Sequence, residues 1–192
     1  MNLPNKLTVA RILLVPFFVA ALLIDFPLNN LVALALFGAA SLTDMFDGKI
    51  ARKHGLITDF GKFADPLADK ILVISALLCF VQLGLCDCVA VIIVLFREFV
   101  VTSIRLIAAA KGKVIAANMW GKVKTVTQIV AIVCVLAVQT VLDLGGLGVQ
   151  LPAALPSVFT VIGEVLIWIS TFFAVLSGVV YVAQNRQFIS EK

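Results

Sequence analysis

The chain has 192 residues, a formal net charge of +4, 62% hydrophobic residues and only 14% charged ones. Soluble domains run near ~45–50% apolar on a similar count that adds glycine. A water-soluble fold therefore has too little interior for these side chains, and a bilayer is the natural solvent. The positive balance reads as cytosolic loop charge, and no nucleic-acid partner is expected.

Six apolar stretches follow one another along the chain. The first, Thr8–Ile24, stops at Asp25-Phe26-Pro27. The second is Leu31–Arg52, and the third, Pro66–Gly84, stops at the turn Gly84–Asp87. The fourth is Cys88–Ala110 and the fifth Gly121–Leu142; the run Gly145-Gly146-Leu147-Gly148 to Pro156 precedes the sixth, Ser157–Ala183. Each is close to the ~20 residues that cross ~30 Å of hydrocarbon as a helix. The expected fold is an all-α integral membrane protein of six transmembrane helices, a single domain over residues 1–192. No secretory signal is expected, because Met1–Leu7 is polar and no small-residue cleavage site follows the first apolar run. The four cysteines, Cys79, Cys86, Cys88 and Cys134, match no zinc spacing and read as apolar filler, with Cys86–Cys88 in an outer loop the one redox possibility.

Basic residues orient the spans. The loops after spans one, three and five, Asp25–Asn30, Leu85–Asp87 and Asp143–Pro156, contain no Lys or Arg, so all 15 lie toward the other side. Both termini are therefore expected in the cytosol.

Span two ends Thr43-Asp44-Met45-Phe46-Asp47-Gly48, and span three opens Asp65-Pro66-Leu67-Ala68-Asp69-Lys70. Asp44 and Asp47 are i, i+3 on a helix and Asp65 and Asp69 are i, i+4, so each pair shares a face. A short connection makes the two helices antiparallel neighbours, and four carboxylates converge near the cytosolic boundary. Asp65 also fits a structural role, as N-cap of span three with Pro66 at its first position. Asp44 and Asp47 sit near a helix C-terminus, where the dipole disfavours negative charge. A central Asp costs roughly 2.5–3.5 kcal/mol on insertion scales. Divalent cations relieve that cost, and hard oxygen ligands favour Mg²⁺ or Mn²⁺; a solvated acidic rim is the alternative. Gly48 inside an apparent helix costs ~1 kcal/mol against alanine. It suits either close approach of a ligand to the backbone or tight helix packing, as does the small Ala51.

These residues form one spaced pattern: Asp44, Asp47-Gly48, Ala51-Arg52, Gly61, Asp65 and Asp69, eight specified positions within 26 residues. The pattern resembles, without departure, the signature of the CDP-alcohol phosphatidyltransferase family. Asn5-Lys6-Leu7-Thr8-Val9-Ala10-Arg11, Arg97-Glu98-Phe99 with Arg105, and Gly121-Lys122-Val123-Lys124-Thr125 are similar to bacterial members that use glycerol 3-phosphate. The resemblance implies a six-helix homodimer in the bacterial cytoplasmic membrane, with its active site on the cytosolic face. It implies a site for two divalent ions, Mg²⁺ or Mn²⁺, held by Asp44, Asp47, Asp65 and Asp69, with Asp69 also the general base. It implies that Gly48, Ala51, Arg52 and Gly61, with Thr58 outside the signature, line the CDP pocket. The implied donor is CDP-diacylglycerol and the implied acceptor sn-glycerol 3-phosphate, among membrane lipids.

The chemistry agrees with the residues. An alcohol that attacks phosphorus must lose its proton to a group within hydrogen-bond reach, and Asp69 lies one turn inside span three. Arg97 and Arg105 lie within span four, where a cation faces the bundle interior or a wet cavity. Eight residues apart, they sit about 80° from each other around the helix, so both can border one acceptor pocket, and arginine suits a phosphate. Arg97 beside Glu98 also fits a pair of membrane-edge charges. Lys122 and Lys124 point to nearly opposite sides, so at most one need touch the acceptor while the other binds lipid headgroups. Inositol phosphate, or a second phospholipid, would be alternative acceptors. A divalent-cation transporter is the other class, but it should place ionisable groups near mid-membrane on several helices. Here the acids cluster at one face, and the outer halves of the spans are nearly bare apart from Glu164.

Overall fold

The computed structural model describes the backbone of residues 3–54, 59–113, 115–116, 118–149, 152 and 155–188, and their side chains except those of 3, 4, 44–63, 65 and 66. Those residues form six α-helices and no strand: α1 Leu3–Leu23, α2 Asn29–His54, α3 Asp59–Gln82, α4 Cys88–Ala110, α5 Met119–Gly146 and α6 Leu155–Gln184. A 3₁₀ turn, Arg186–Phe188, follows α6.

The breakers act where the sequence puts them. Leu28, after Pro27, takes a left-handed φ of 59°, and the Asn29 N–H bonds the Phe26 carbonyl at 3.1 Å, which starts α2. At the end of α3, Gly84 has φ 69°, with Gly84 N–H on Val81 O at 3.1 Å and Leu85 N–H on Phe80 O at 2.8 Å. That pair of bonds is a Schellman stop, and its left-handed residue is why glycine stands there. Gly112 ends α4 in the same way, with φ 71° and the Lys113 N–H on Ala108 O at 2.9 Å. Asp87 caps α4 by accepting from the Val89 N–H at 2.7 Å.

One expectation is corrected. α3 begins at Asp59, so Asp65 and Pro66 lie inside the helix and are not its N-cap and first position. The charge-interrupted segment ahead of the apolar run, Asp59 to Asp65, is itself helical. Proline removes one backbone bond there, as Pro16 does within α1.

α1 packs against both α2 and α3, and α6 against α4 and α5; α2 meets α5 and joins the two groups. Among the described residues α2 and α3 touch only lightly, because α1 lies against both. The core mixes aromatics with small residues that let helices approach closely. Phe18 and Phe37 pack with ring centroids 5.7 Å apart and planes tilted by 47°, and Ala33, Ala40, Ala76, Ala90 and Ala174 are fully buried. Gly163 brings α6 onto α5, where an added Cβ would come within 3.2 Å of Val135 Cγ2. Asn30 Nδ2 donates to Asp143 at 3.1 Å and ties the start of α2 to the end of α5.

The outward faces are apolar: Leu13, Phe17, Phe96, Phe99 and Phe172 are exposed. An apolar exterior is what bilayer demands. Among the described residues, three helices are long and apolar enough to cross a membrane: α1 from Asn5, α5 and α6; α2 contributes the shorter apolar segment Asn29–Thr43. α3 and α4 are interrupted by Asp69 and Lys70, and by Arg97, Glu98 and Arg105. Those charges turn inward, and α3 meets α4 and α5 only lightly, which leaves room between them.

Candidate active site

That room is a cavity of about 700 Å³, bordered by side chains from α1 to α5. Asp69 reaches it from α3, and Arg97, Arg105, Lys122 and Lys124 reach it from α4 and α5. The predicted base and all four predicted acceptor cations therefore border one space.

Asp69 is oriented from α1. The Arg11 Nη1 donates to Asp69 Oδ1 at 2.7 Å; the arginine side chain is 1% exposed and the carboxylate 47%. Lys70, next along α3, donates to the Thr102 hydroxyl, and Thr102 in turn donates to the Glu98 carbonyl at 2.7 Å.

Glu98 organises the α4–α5 wall. Its Oε1 accepts from Arg97 Nη1 and from Lys124 Nζ, both at 2.7 Å, while Lys70 Nζ lies 3.8 Å from Oε2. Arg97 and Glu98 are largely buried, so both face the bundle interior. Arg97 Nη2 also donates to the Ser177 hydroxyl on α6. Its stem runs over Gly178, where an added Cβ would lie 3.0 Å from Arg97 Cγ. Asn118 caps α5 through the Gly121 N–H at 2.8 Å, and a Cβ on Gly121 would approach that cap at 3.2 Å and Arg97 Nη2 at 3.7 Å. Glycine at 121 thus lets the helix start against the arginine.

Arg105 lies a little over two turns along α4. Its Nε donates to Tyr181 Oη at 3.2 Å, and the guanidinium carbon lies 5.6 Å from the ring centroid, a cation–π contact. Lys122 is exposed at the rim and Lys124 is buried, yet both border the cavity. Side chains that long reach one space from divergent positions.

Asp44 and Asp47 lie in α2, and Asp65 in α3. Their side chains, and those of Gly48, Ala51, Arg52 and Gly61, are outside the described set, and Thr58 lies outside the described residues. Among the described residues no group of three or more His, Cys, Asp or Glu could hold a metal. Carboxylate oxygens are the donor type that a hard cation takes, and of the four aspartates Asp69 is the one whose side chain is described. The helical backbone keeps Asp44 and Asp47 on one face and Asp65 and Asp69 on another, and Asp69 ends on the cavity.

The sequence reading missed several residues. Arg11 appears in the N-terminal stretch that resembles the family and among the loop charges, but it carries no sign of a role at the site, because its partner lies 58 positions away. Gln128, which also borders the cavity, sits in an apolar run; its spacing of four from the buried Lys124 was the available sign. Ser177 and Tyr181 carried none.

Residues 1–176 match the family model for CDP-alcohol phosphatidyltransferase. The chain belongs to the CDP-alcohol phosphatidyltransferase family. Among relatives, a Bacillus subtilis protein named CDP-diacylglycerol--glycerol-3-phosphate 3-phosphatidyltransferase is 42% identical over 196 residues, covering 96% of this chain and 95% of its own. A Rickettsia bellii protein of the same name is 34% identical, covering 94% and 93%. A Mycobacterium tuberculosis protein named probable phosphatidylglycerophosphate synthase is 43% identical over 134 residues, 68% of this chain and 64% of its own. The aspartates of α2 and α3 and the cation-lined cavity beside Asp69 all lie within the matched residues.

Proposed function

We propose that this enzyme transfers the phosphatidyl group of CDP-diacylglycerol to sn-glycerol 3-phosphate, giving phosphatidylglycerophosphate and CMP in phospholipid biosynthesis. The observation that carries this reading is one cavity bordered by Asp69 and by Arg97, Arg105, Lys122 and Lys124. A carboxylate beside four cations suits an acceptor with a hydroxyl to deprotonate and a phosphate to hold. Serine would leave that charge unused.

Asp69 takes the proton from the acceptor hydroxyl, held in place by the Arg11 ion pair. The acceptor oxygen bonds to the phosphatidyl phosphorus as the bond from that phosphorus to the CMP oxygen breaks. CMP leaves with the electron pair. Arg105 and Lys122 take the acceptor phosphate, while Glu98 holds Arg97 and Lys124 at fixed spacing. A pair of Mg²⁺ or Mn²⁺ ions on Asp44, Asp47, Asp65 and Asp69 would neutralise the diphosphate and stabilise the leaving phosphate. Gly48, Ala51, Arg52, Thr58 and Gly61 would line the CDP side.

Six spans, both termini in the cytosol and a site at the cytosolic face of the cytoplasmic membrane complete the reading. Support comes from the three alternating loops without Lys or Arg and from the apolar exterior. The homodimer implied by the family resemblance belongs to the same proposal, and mass measurement in nanodiscs tests it.

The deciding experiment supplies purified protein with CDP-diacylglycerol, magnesium and a panel of acceptors: glycerol 3-phosphate, inositol phosphate, serine and phosphatidylglycerol. CMP release with glycerol 3-phosphate, and phosphatidylglycerophosphate as the lipid product, is expected. Faster release with another acceptor would replace the acceptor assignment, and no release with any would remove the activity.

A further inference from the structure

Most buried polar side chains of this fold have a partner, and Arg11 and Arg97, whose Nε atoms stand unpartnered among the described residues, still hold carboxylates through Nη1. Thr140 donates to Leu136 O, Ser170 and Thr171 to Ile167 O, and Asn185 to Tyr181 O. Lys124 has Glu98. Gln128 is different. It is 2% exposed, it borders the cavity, and its Nε2 has no hydrogen-bond partner among the described residues. A buried amide without a partner is costly, and such a group in a native fold calls for an explanation.

Its position supplies one. Gln128 follows Lys124 by four residues on α5, on the same face and about 6 Å further along the helix. It borders the cavity together with Val94 of α4 and Leu72 of α3. The cavity already carries its cations nearer the cytosolic ends of α4 and α5. A neutral carboxamide both donates and accepts, as a hydroxyl does. It adds nothing to phosphate binding that the cations do not already give.

We infer that Gln128 binds the non-reacting hydroxyl of the acceptor, the one on C2 of a three-carbon phosphate. The inference rests on the proposed transfer to glycerol 3-phosphate. The phosphate sits among the cations, the C1 hydroxyl faces Asp69, and the carboxamide fixes C2 so that the reacting oxygen is aimed. A site built to bond a hydroxyl discriminates against an analogue that lacks it, because its own polar group is then left unpaired.

The test compares sn-glycerol 3-phosphate with 3-hydroxypropyl phosphate, which keeps the reacting hydroxyl and lacks that on C2. Wild type should prefer glycerol 3-phosphate by roughly tenfold or more in kcat/KM, the loss expected for one buried hydrogen bond. Gln128→Leu should lose that preference by slowing only on glycerol 3-phosphate, with the KM for CDP-diacylglycerol unchanged. Gln128→Met gives the same readout should the leucine variant not fold. Equal losses on both acceptors, or a wild type indifferent to the C2 hydroxyl, would overturn the inference. Absence of CMP release from wild type with every acceptor would remove the parent reading instead. Titration calorimetry of glycerol 3-phosphate into the solubilised protein then still reports on Gln128, and equal affinity in wild type and Gln128→Leu overturns it.

Discussion

Arg11, buried in α1, places its Nη1 2.7 Å from Asp69 Oδ1 across to α3. A charge with almost no contact with solvent thus holds the carboxylate that borders the cavity. Arg11→Gln keeps polarity in a shorter, neutral side chain and loses the ion pair. Turnover should fall by about 10²-fold, the cost of a small misplacement of a reacting group, with a smaller change in the KM for the CDP-lipid. A change confined to that KM would place Arg11 in the donor pocket.

Asp69→Asn separates base from ligand. With Asp44, Asp47 and Asp65 intact, donor affinity should largely persist while the single-turnover rate drops roughly 10²–10⁴-fold. Collapse of donor binding at saturating magnesium would make Asp69 mainly a ligand, and full activity would remove it from the mechanism.

Asp44→Asn and Asp65→Asn should each abolish turnover while the protein still folds. The measurement is activity across a magnesium or manganese titration, with a thermal melt as the folding control. Near wild-type activity in either variant would sink the metal-ligand assignment.

On the opposite wall, Arg105→Ala should raise the KM of the acceptor more than that of CDP-diacylglycerol. Its guanidinium rests on Tyr181 and borders the cavity. A defect on the CDP-lipid alone would move Arg105 to the donor site.

Cys86 lies in the loop between α3 and α4, and burial, with Asp87 adding, pushes its thiol up to about 11. Only the thiolate reacts with a maleimide, so at pH 8 roughly one Cys86 in a thousand is competent. Peptide mass spectrometry after a short alkylation pulse should find Cys88, which is exposed, modified first, with Cys86 gaining as pH rises toward 11. In sealed inverted vesicles an impermeant maleimide should spare Cys88, since its loop faces outward in the proposed topology; labelling there would reverse the orientation.

Much of this arrangement was legible in the chain. Arg97 and Arg105 could be placed on one pocket because helix geometry fixes their angular separation, and the structure brings both to the cavity. Six helices followed from six apolar runs. The start of α3 did not, because Asp59, Lys62 and Asp65 interrupt the apolar residues between them and hydropathy sees the bilayer, not the helix beyond it. Glu98 read as a possible edge charge because its partner Lys124 lies 26 positions on, and pairings across helices leave no mark in local spacing. The carboxylate motif was legible as a pattern, and its side chains lie mostly outside those described.

Gly178 ties the cavity to a helix that contributes no residue to its wall. The stem of Arg97 lies over that glycine, and a single methyl would meet Arg97 Cγ at 3.0 Å. The reach of this cation is therefore set by the bare backbone of α6. Variation confined to the walls of the cavity would never touch that control. An alanine at 178 would crowd the Arg97 stem and disturb its bond to Ser177, so the placement of this cation depends on a position outside the cavity wall.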